Sequence, residues 1–204
     1  MKVWIVGDGH RDKAMLPPLL RSILEVELNC EFKTWRDVRL RKGGYDNKLA
    51  YFMRQILATR KPWRLVAVVD ADGSPRGRRL NKLKTKREEE RQKQNHPIPT
   101  ALGEAFPHGE AWLLDDSEAV KKGLNLDADH KVPTATSGSP KKIMHELLAA
   151  SPKADERPID VWPDIAHYVR LKSCRTPKKT GFGPFCEDVL KELKPMAADK
   201  TDLP

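Results

Sequence analysis

The sequence predicts an α/β fold: a mostly parallel sheet flanked by helices, followed by a C-terminal helical extension. Two observations carry this. The apolar runs at residues 2–6 and 65–69 are rich in valine and lack polar alternation, the pattern of strands covered on both faces. Helical periodicity fills the intervals between strand segments, and a strand–helix–strand succession leads to parallel pairing.

Residues 2–6 form the first strand, with Gly7-Asp8-Gly9-His10 as the loop behind it. Its two glycines allow a tight turn and a close approach of backbone to a ligand. A helix is expected over 17–28, with Leu19, Leu20, Ile23, Leu24 and Leu28 on one face. Pro17 and Pro18 then fall in its first turn, where a missing N–H is tolerated. Residues 30–38 alternate enough for a second strand near an edge, and a basic, glycine-containing loop follows over 39–45. Asp46 or Asn47 caps the next helix, whose face carries Leu49, Tyr51, Phe52, Met53, Ile56 and Leu57.

The third strand, at 65–69, ends in Asp70-Ala71-Asp72-Gly73-Ser74. A polar, exposed helix is expected over 76–93, a fourth strand over 101–106, and a new element from Glu110. Asp115-Asp116-Ser117 caps a short helix ending near Gly123. Residues 124–140 are polar loop, 141–150 and 162–171 helical, and a Lys/Gly loop leads to a last helix ending at Leu193, with a loose tail behind it. The expected division is an α/β core over 1–123 and a helical extension over 124–204 packed on it.

The chain has 204 residues, 39% hydrophobic and 33% charged, with a formal charge of +9. That excess favours a polyanionic partner. Cys30, Cys174 and Cys186 are widely spaced, which suggests neither a zinc cage nor a disulfide framework and fits a reducing, cytoplasmic setting without a membrane partner. The apolar start is too short for a signal peptide.

Carboxylates stand at the ends of three of the four expected strands: Asp8 and Asp12, Asp70 and Asp72, then Glu104 and Glu110. Ligands of open α/β sheets collect at the carboxyl ends of strands. Carboxylates gathered there repel one another unless a divalent cation intervenes, and oxygen-only donors suit Mg²⁺ or Mn²⁺. Each residue also has a plainer reading: Asp12 as a helix cap, Asp70-x-Asp72 as a capped turn, Glu110 as a solvated acid.

The motifs Gly7-Asp8-Gly9-His10-Arg11-Asp12 and Val68-Val69-Asp70-Ala71-Asp72-Gly73-Ser74 resemble a Toprim domain. The likeness is to the Toprim domains of OLD-family nucleases and to small Toprim-like bacterial proteins. The latter share Glu110-Ala111-Trp112-Leu113-Leu114-Asp115-Asp116 and Gly183-Pro184-Phe185-Cys186-Glu187-Asp188-Val189-Leu190, so the resemblance spans roughly residues 2–193. It implies a Toprim-like, Rossmann-like fold and a Mg²⁺- or Mn²⁺-dependent nuclease. Asp8, Asp12, Asp70, Asp72 and Glu110 would be the metal-binding set, with Asp8, Asp70, Asp72 and Glu110 catalytic. It further implies antiviral defence beside an ATPase partner. Where the family has glutamate this chain has Asp8, one methylene shorter, so direct ligation needs a closer backbone or a bridging water. A non-catalytic adaptor of the same shape is the alternative.

Nine basic residues lie in 76–93, directly behind Ser74. Arg76, Arg78, Arg79, Lys82, Lys84 and Lys86 are the expected nucleic-acid contacts, with DNA ahead of RNA, against the plainer reading of a solvated face with internal Glu–Lys/Arg pairs. Arg39, Arg41, Lys42, Lys178 and Lys179 add positive charge. Lys82 or Lys142 is expected to stabilise developing charge. Tyr45, Tyr51 and Tyr168 are expected to lie away from the carboxylates, which disfavours topoisomerase-like chemistry.

Overall fold

The computed structural model describes residues 1–40 and 43–194 of the 204; Arg41, Lys42 and the expected loose tail from 195 lie outside them. Four strands, β1 (Lys2–Gly7), β2 (Asn29–Thr34), β3 (Arg64–Asp70) and β4 (Thr100–Ala105), form one sheet in the order β2-β1-β3-β4, and every pairing is parallel. The helices are α1 (His10–Leu24), α2 (Tyr45–Ala58), α3 (Arg78–Arg91), α4 (Glu110–Leu114) and α5 (Ser117–Leu124). They continue with α6 (Pro140–Ala149), α7 (Pro158–Tyr168), α8 (Pro177–Thr180) and α9 (Phe182–Leu193). Among the described residues, no helix is long and apolar enough to cross a membrane.

The unbroken apolar character of β1 and β3 has its expected cause. Val3, Ile5, Val66 and Val68 face one apolar cluster with α1 and the C-terminal helices. Val6, Leu65, Ala67 and Val69 face a second cluster with α2 and Leu83 of α3. Both faces are covered, so the interior positions of these strands are apolar and the polar residues Lys2, Arg64 and Asp70 fall at their ends. The C-terminal helices belong to the first cluster throughout: α7 lies on α1 and α5, while α9 lies on β4.

Helices α1, α2 and α3 differ from the sequence reading, and Tyr51 and Leu57, expected on the apolar face of α2, are exposed. Helix α1 begins at His10 and ends where Glu25 turns left-handed (φ 56°), so Pro17 and Pro18 sit in its interior. Their lost N–H groups are tolerated because Met15, Leu16, Leu19, Leu20 and Leu24 anchor the opposite face in the core. Helix α2 begins at Tyr45 behind Gly44, which places Asp46 inside the first turn instead of at the cap. Helix α3 is not simply exposed: Leu83, Arg87 and Glu90 are buried. Asp116 does cap α5, accepting from the Ala119 N–H at 3.1 Å.

The β4 edge of the sheet is closed by α3, α8 and α9. Outward-facing groups of β4 need partners because burial removes water. Asp188 of α9 accepts from the Leu102 N–H at 2.7 Å and from Arg87 Nη1 at 2.7 Å, while Arg87 also donates to the Thr100 carbonyl at 2.9 Å. Arg91 pairs with Glu192 alongside. Past the strand, the Phe106 N–H and Trp112 Nε1 both donate to the Thr180 carbonyl. Gly181 is required here: its φ is +85°, and a Cβ would lie 2.1 Å from the Glu104 carbonyl oxygen.

Asp188→Ala leaves the Arg87 guanidinium buried without its closest counter-charge and the Leu102 N–H without an acceptor. The expected loss is about 3–5 kcal/mol, read as a lower urea midpoint. An unchanged midpoint would mean that the edge is held by apolar packing alone.

Candidate functional site

The strand order moves outward from β1 to β2 and then returns across β1 to β3. A sheet with that reversal opens a crevice at the carboxyl ends of the two strands flanking it. Asp8 follows β1, and Asp70 ends β3, so the reversal sets these carboxylates side by side. Asp8 Oδ2 accepts from the Asp70 N–H at 3.2 Å. The crevice is a cleft of ≈ 390 Å³ whose walls include Asp8, Asp70, Asp72 and His108. Its cationic walls are Arg36, Lys48, Arg79 and Lys141.

Asp12 reaches this region through helix geometry. With Gly9 as the N-cap of α1, Asp12 is the third helical residue, and its Oδ2 accepts from the Asp8 N–H at 2.6 Å. Gly7 admits it, since a Cβ there would lie 2.7 Å from the Asp12 side chain. Asp12 is therefore not the cap of α1, which is Gly9; it holds the backbone before the helix and adds a buried carboxylate behind Asp8. Burial first, then the charge of Asp70, pushes its pKa up to about 7.

Asp70 behaves similarly. Its Oδ1 accepts from the Gly109 N–H at 3.1 Å, and Oδ2 lies 3.3 Å from His108 Nδ1. Burial, then Asp8 and Glu110, raise its pKa to about 7, opposed by Lys141 and the Gly109 hydrogen bond. Burial and then Lys141 depress the pKa of His108, which keeps its ring neutral at physiological pH.

The remaining acids divide. Asp72 is exposed on the cleft wall with φ 44°, placed there by the turn after β3. Glu110, 4% exposed, is neutralised by Arg11 at 2.7 Å and acts on Asp70 through its charge. Glu104 does not join the cluster. It accepts from the N–H groups of Gly77 and Arg79 and so caps α3 from beneath. Among the described residues, no three acidic, histidine or cysteine side chains gather in a form that could hold a metal ion by themselves.

Tyr45 corrects the sequence reading. Its hydroxyl donates to Asp8 Oδ1 at 3.2 Å, and its ring lies edge-on to Trp35, so a tyrosine does stand beside the carboxylates. Burial and the charge of Asp8 push its pKa up to about 12, which keeps it a phenol that holds Asp8. The Lys82-or-Lys142 choice also changes: Lys141 lines the cleft, while Lys142 pairs with Glu146 on an exposed surface. Lys82 lines a neighbouring recess. His10 is exposed at the start of α1 and lines no part of the cleft.

The six expected nucleic-acid contacts separate as well. Arg79 lines the cleft, donates Nη1 to the Asp70 carbonyl at 2.6 Å and lies over the Tyr45 ring at 5.3 Å. Arg78 and Lys82 line the neighbouring recess. Arg76 instead covers Phe106, Lys86 pairs with Glu89, and neither these nor Lys84 lines either hollow. Lys48, Arg36 and Lys141 escaped the sequence reading because they lie on three separate segments with no local pattern linking them to Asp70.

The raised carboxylates make stability depend on pH. In the unfolded chain Asp12 and Asp70 release protons near the ordinary aspartate value of 3.8, whereas in the fold they hold them to about 7. The folded state thus binds extra protons in that interval. The contribution is full below about pH 4 and is lost as pH rises through 7. Asp70→Asn, measured in EDTA, is expected to be more stable than wild type by about 1–3 kcal/mol at pH 8, with the gap closing at pH 5. An equal difference at both pH values would show that Asp70 is not desolvated as described.

Comparison of the chain with protein-family models, with curated proteins and with solved structures gives no match.

Proposed function

We propose that the protein is a divalent-metal-dependent nuclease that hydrolyses phosphodiesters in the cleft at the ends of β1 and β3. The observation that carries this reading is the concentration of Asp8, Asp12 and Asp70 without a Lys or Arg ion-pair partner among the described residues, inside a ring of cations. Uncompensated acids surrounded by Arg36, Lys48, Arg79 and Lys141 suit a ligand that brings both a metal and an anion. The donors are carboxylate oxygens, which fits Mg²⁺ or Mn²⁺. Mg²⁺ commonly takes only one or two protein carboxylates and completes its shell with water and substrate phosphate. Asp8 and Asp70 would be those ligands, and the bound ion would polarise a phosphoryl oxygen and acidify a water molecule. That no three-ligand cage stands among the described residues is therefore compatible with the reading.

The chain's own groups have definable tasks. Lys141 and Arg79, which line the cleft, would bind the non-bridging phosphate oxygens and stabilise charge developing on them. Asp70 fixes His108 by the Nδ1 contact, leaving Nε2 of the neutral ring free to take a proton from water. Tyr45 orients Asp8. The resemblance to Toprim domains of OLD-family nucleases supports the same reaction and extends it to antiviral defence with an ATPase partner.

A second reading, a non-catalytic adaptor that docks on nucleic acid or on an ATPase, is favoured by one observation. Asp8 is shorter than the glutamate of the resembled motif and is already engaged by Tyr45 and the Asp70 N–H.

Purified protein is expected to cut DNA with Mg²⁺ or Mn²⁺ and to be inactive in EDTA. Asp70→Asn should lower the rate by about 10²–10³-fold while the fold, followed by circular dichroism, is retained. Lack of cleavage of DNA and RNA with either metal, with oligonucleotide binding preserved, would favour the adaptor.

A further inference from the structure

Beside the carboxylate cleft lies a second hollow of ≈ 230 Å³, between the start of α2 and the start of α3. Ser74, Arg78, Arg79 and Lys82 line it, with Asp46 on the opposite side. The two hollows share Gly44, Tyr45 and Arg79 in their walls, so one molecule can occupy both.

The ion pairs of α3 show that this hollow is not an ordinary solvated surface. Lys86 pairs with Glu89, Arg91 with Glu88 and Glu192, and Lys93 with Glu90, while Arg87 pairs with Asp188. Thus most cations in the second half of the helix are neutralised by its own acids or by those of α9. Among the described residues, Arg78, Arg79 and Lys82 have no carboxylate within salt-bridge distance. The first turn of α3 contains no acid, although a helix N-terminus carries partial positive charge and favours acids there. Two arginines stand in that turn instead, and Glu104 beneath offsets only part of the charge. Such a local excess destabilises the free protein and is relieved by an anion in the recess.

We propose that this hollow is a second phosphate subsite, which holds the phosphate neighbouring the scissile one and makes the substrate a nucleic-acid strand engaged through at least two consecutive phosphates. The inference rests on the reading of the carboxylate cleft as the hydrolytic centre. It deepens that reading by distinguishing a polynucleotide from a free nucleotide or a small phosphodiester. The face of Tyr45, the aromatic residue in both walls, is covered by Arg79 at 5.3 Å. Bases therefore have no stacking platform there, and recognition is of the backbone, without sequence readout.

Binding in EDTA separates this claim from catalysis. Fluorescence anisotropy with labelled single-stranded DNA, titrated at several salt concentrations, is the measurement. Arg78→Ala combined with Lys82→Ala should weaken binding about tenfold at low salt and reduce the salt slope by about one. Lys93→Ala, with its charge already paired to Glu90, should change affinity less than about twofold. A trinucleotide with two internal phosphates should bind wild type more tightly than a dinucleotide with one, and the double variant should abolish that gain. Unchanged binding by the double variant would overturn the proposal, as would displacement of the oligonucleotide by ATP or pyrophosphate at concentrations well below those of competing DNA. Metal-dependent cleavage with normal binding in the double variant would reject the subsite and keep the nuclease. Loss of binding in the double variant without any cleavage by wild type would keep the subsite and reject the nuclease.

Discussion

The adjacency of β1 and β3 is the constraint on which the carboxyl end of this sheet depends. Because the chain reverses direction across the sheet at that point, the backbone of Asp70 donates to the side chain of Asp8. Asp12 is then drawn in from below by helix α1, and Glu110 by the turn into α4. Burial first, and then the repulsion of neighbouring acids, disfavours their charged forms, and two of the acids respond by retaining protons to about pH 7. Tyr45, His108 and the Gly109 N–H hold the group in place without cancelling its charge.

The same economy of neutralisation separates structural from available charge elsewhere. Asp115 and Asp116 are as buried as Asp12, yet each is fully engaged: Asp115 accepts from Thr176, and Asp116 from Ala119 and Arg170. These acids fasten the segment before α8 and the end of α7 to the start of α5. A buried carboxylate on its own therefore does not identify a site in this protein. What distinguishes Asp8, Asp12 and Asp70 is proximity to one another and to an open cleft.

Much of this was legible in the sequence. The run ending at Val69 announced a strand buried on both sides, and the acids at the ends of three strands identified the end of the sheet at which to look. The cap at Asp116 was legible because capping is local. Features formed by tertiary contact were not. Pro17 and Pro18 read as a helix start because their cost is local, whereas the burial that offsets it comes from the core. Glu104 looked like one more acid in the cluster, although it faces the N-terminus of α3. Tyr45 and Lys141 lie 37 and 133 residues beyond Asp8, and neither sits in a pattern that predicts where it folds back. In the basic helix, composition alone could not show that Arg87 turns inward to Asp188 while Arg78 and Lys82 have no ion-pair partner among the described residues.

The seal on β4 also has a consequence for the order in which the chain can mature. Arg87 and Asp188 are separated by 101 positions, and the Leu102 N–H waits 86 positions for its acceptor. During synthesis the sheet can therefore assemble with one border still raw, its outward amides and carbonyls open to a neighbouring nascent chain until α9 has emerged. Contacts so distant along the chain also close late, because ordering the intervening loop precedes the gain from the contact. A ribosome that stops shortly before Phe182 would release a product with the cleft-forming strands complete but an unguarded border, and that product would be prone to self-association.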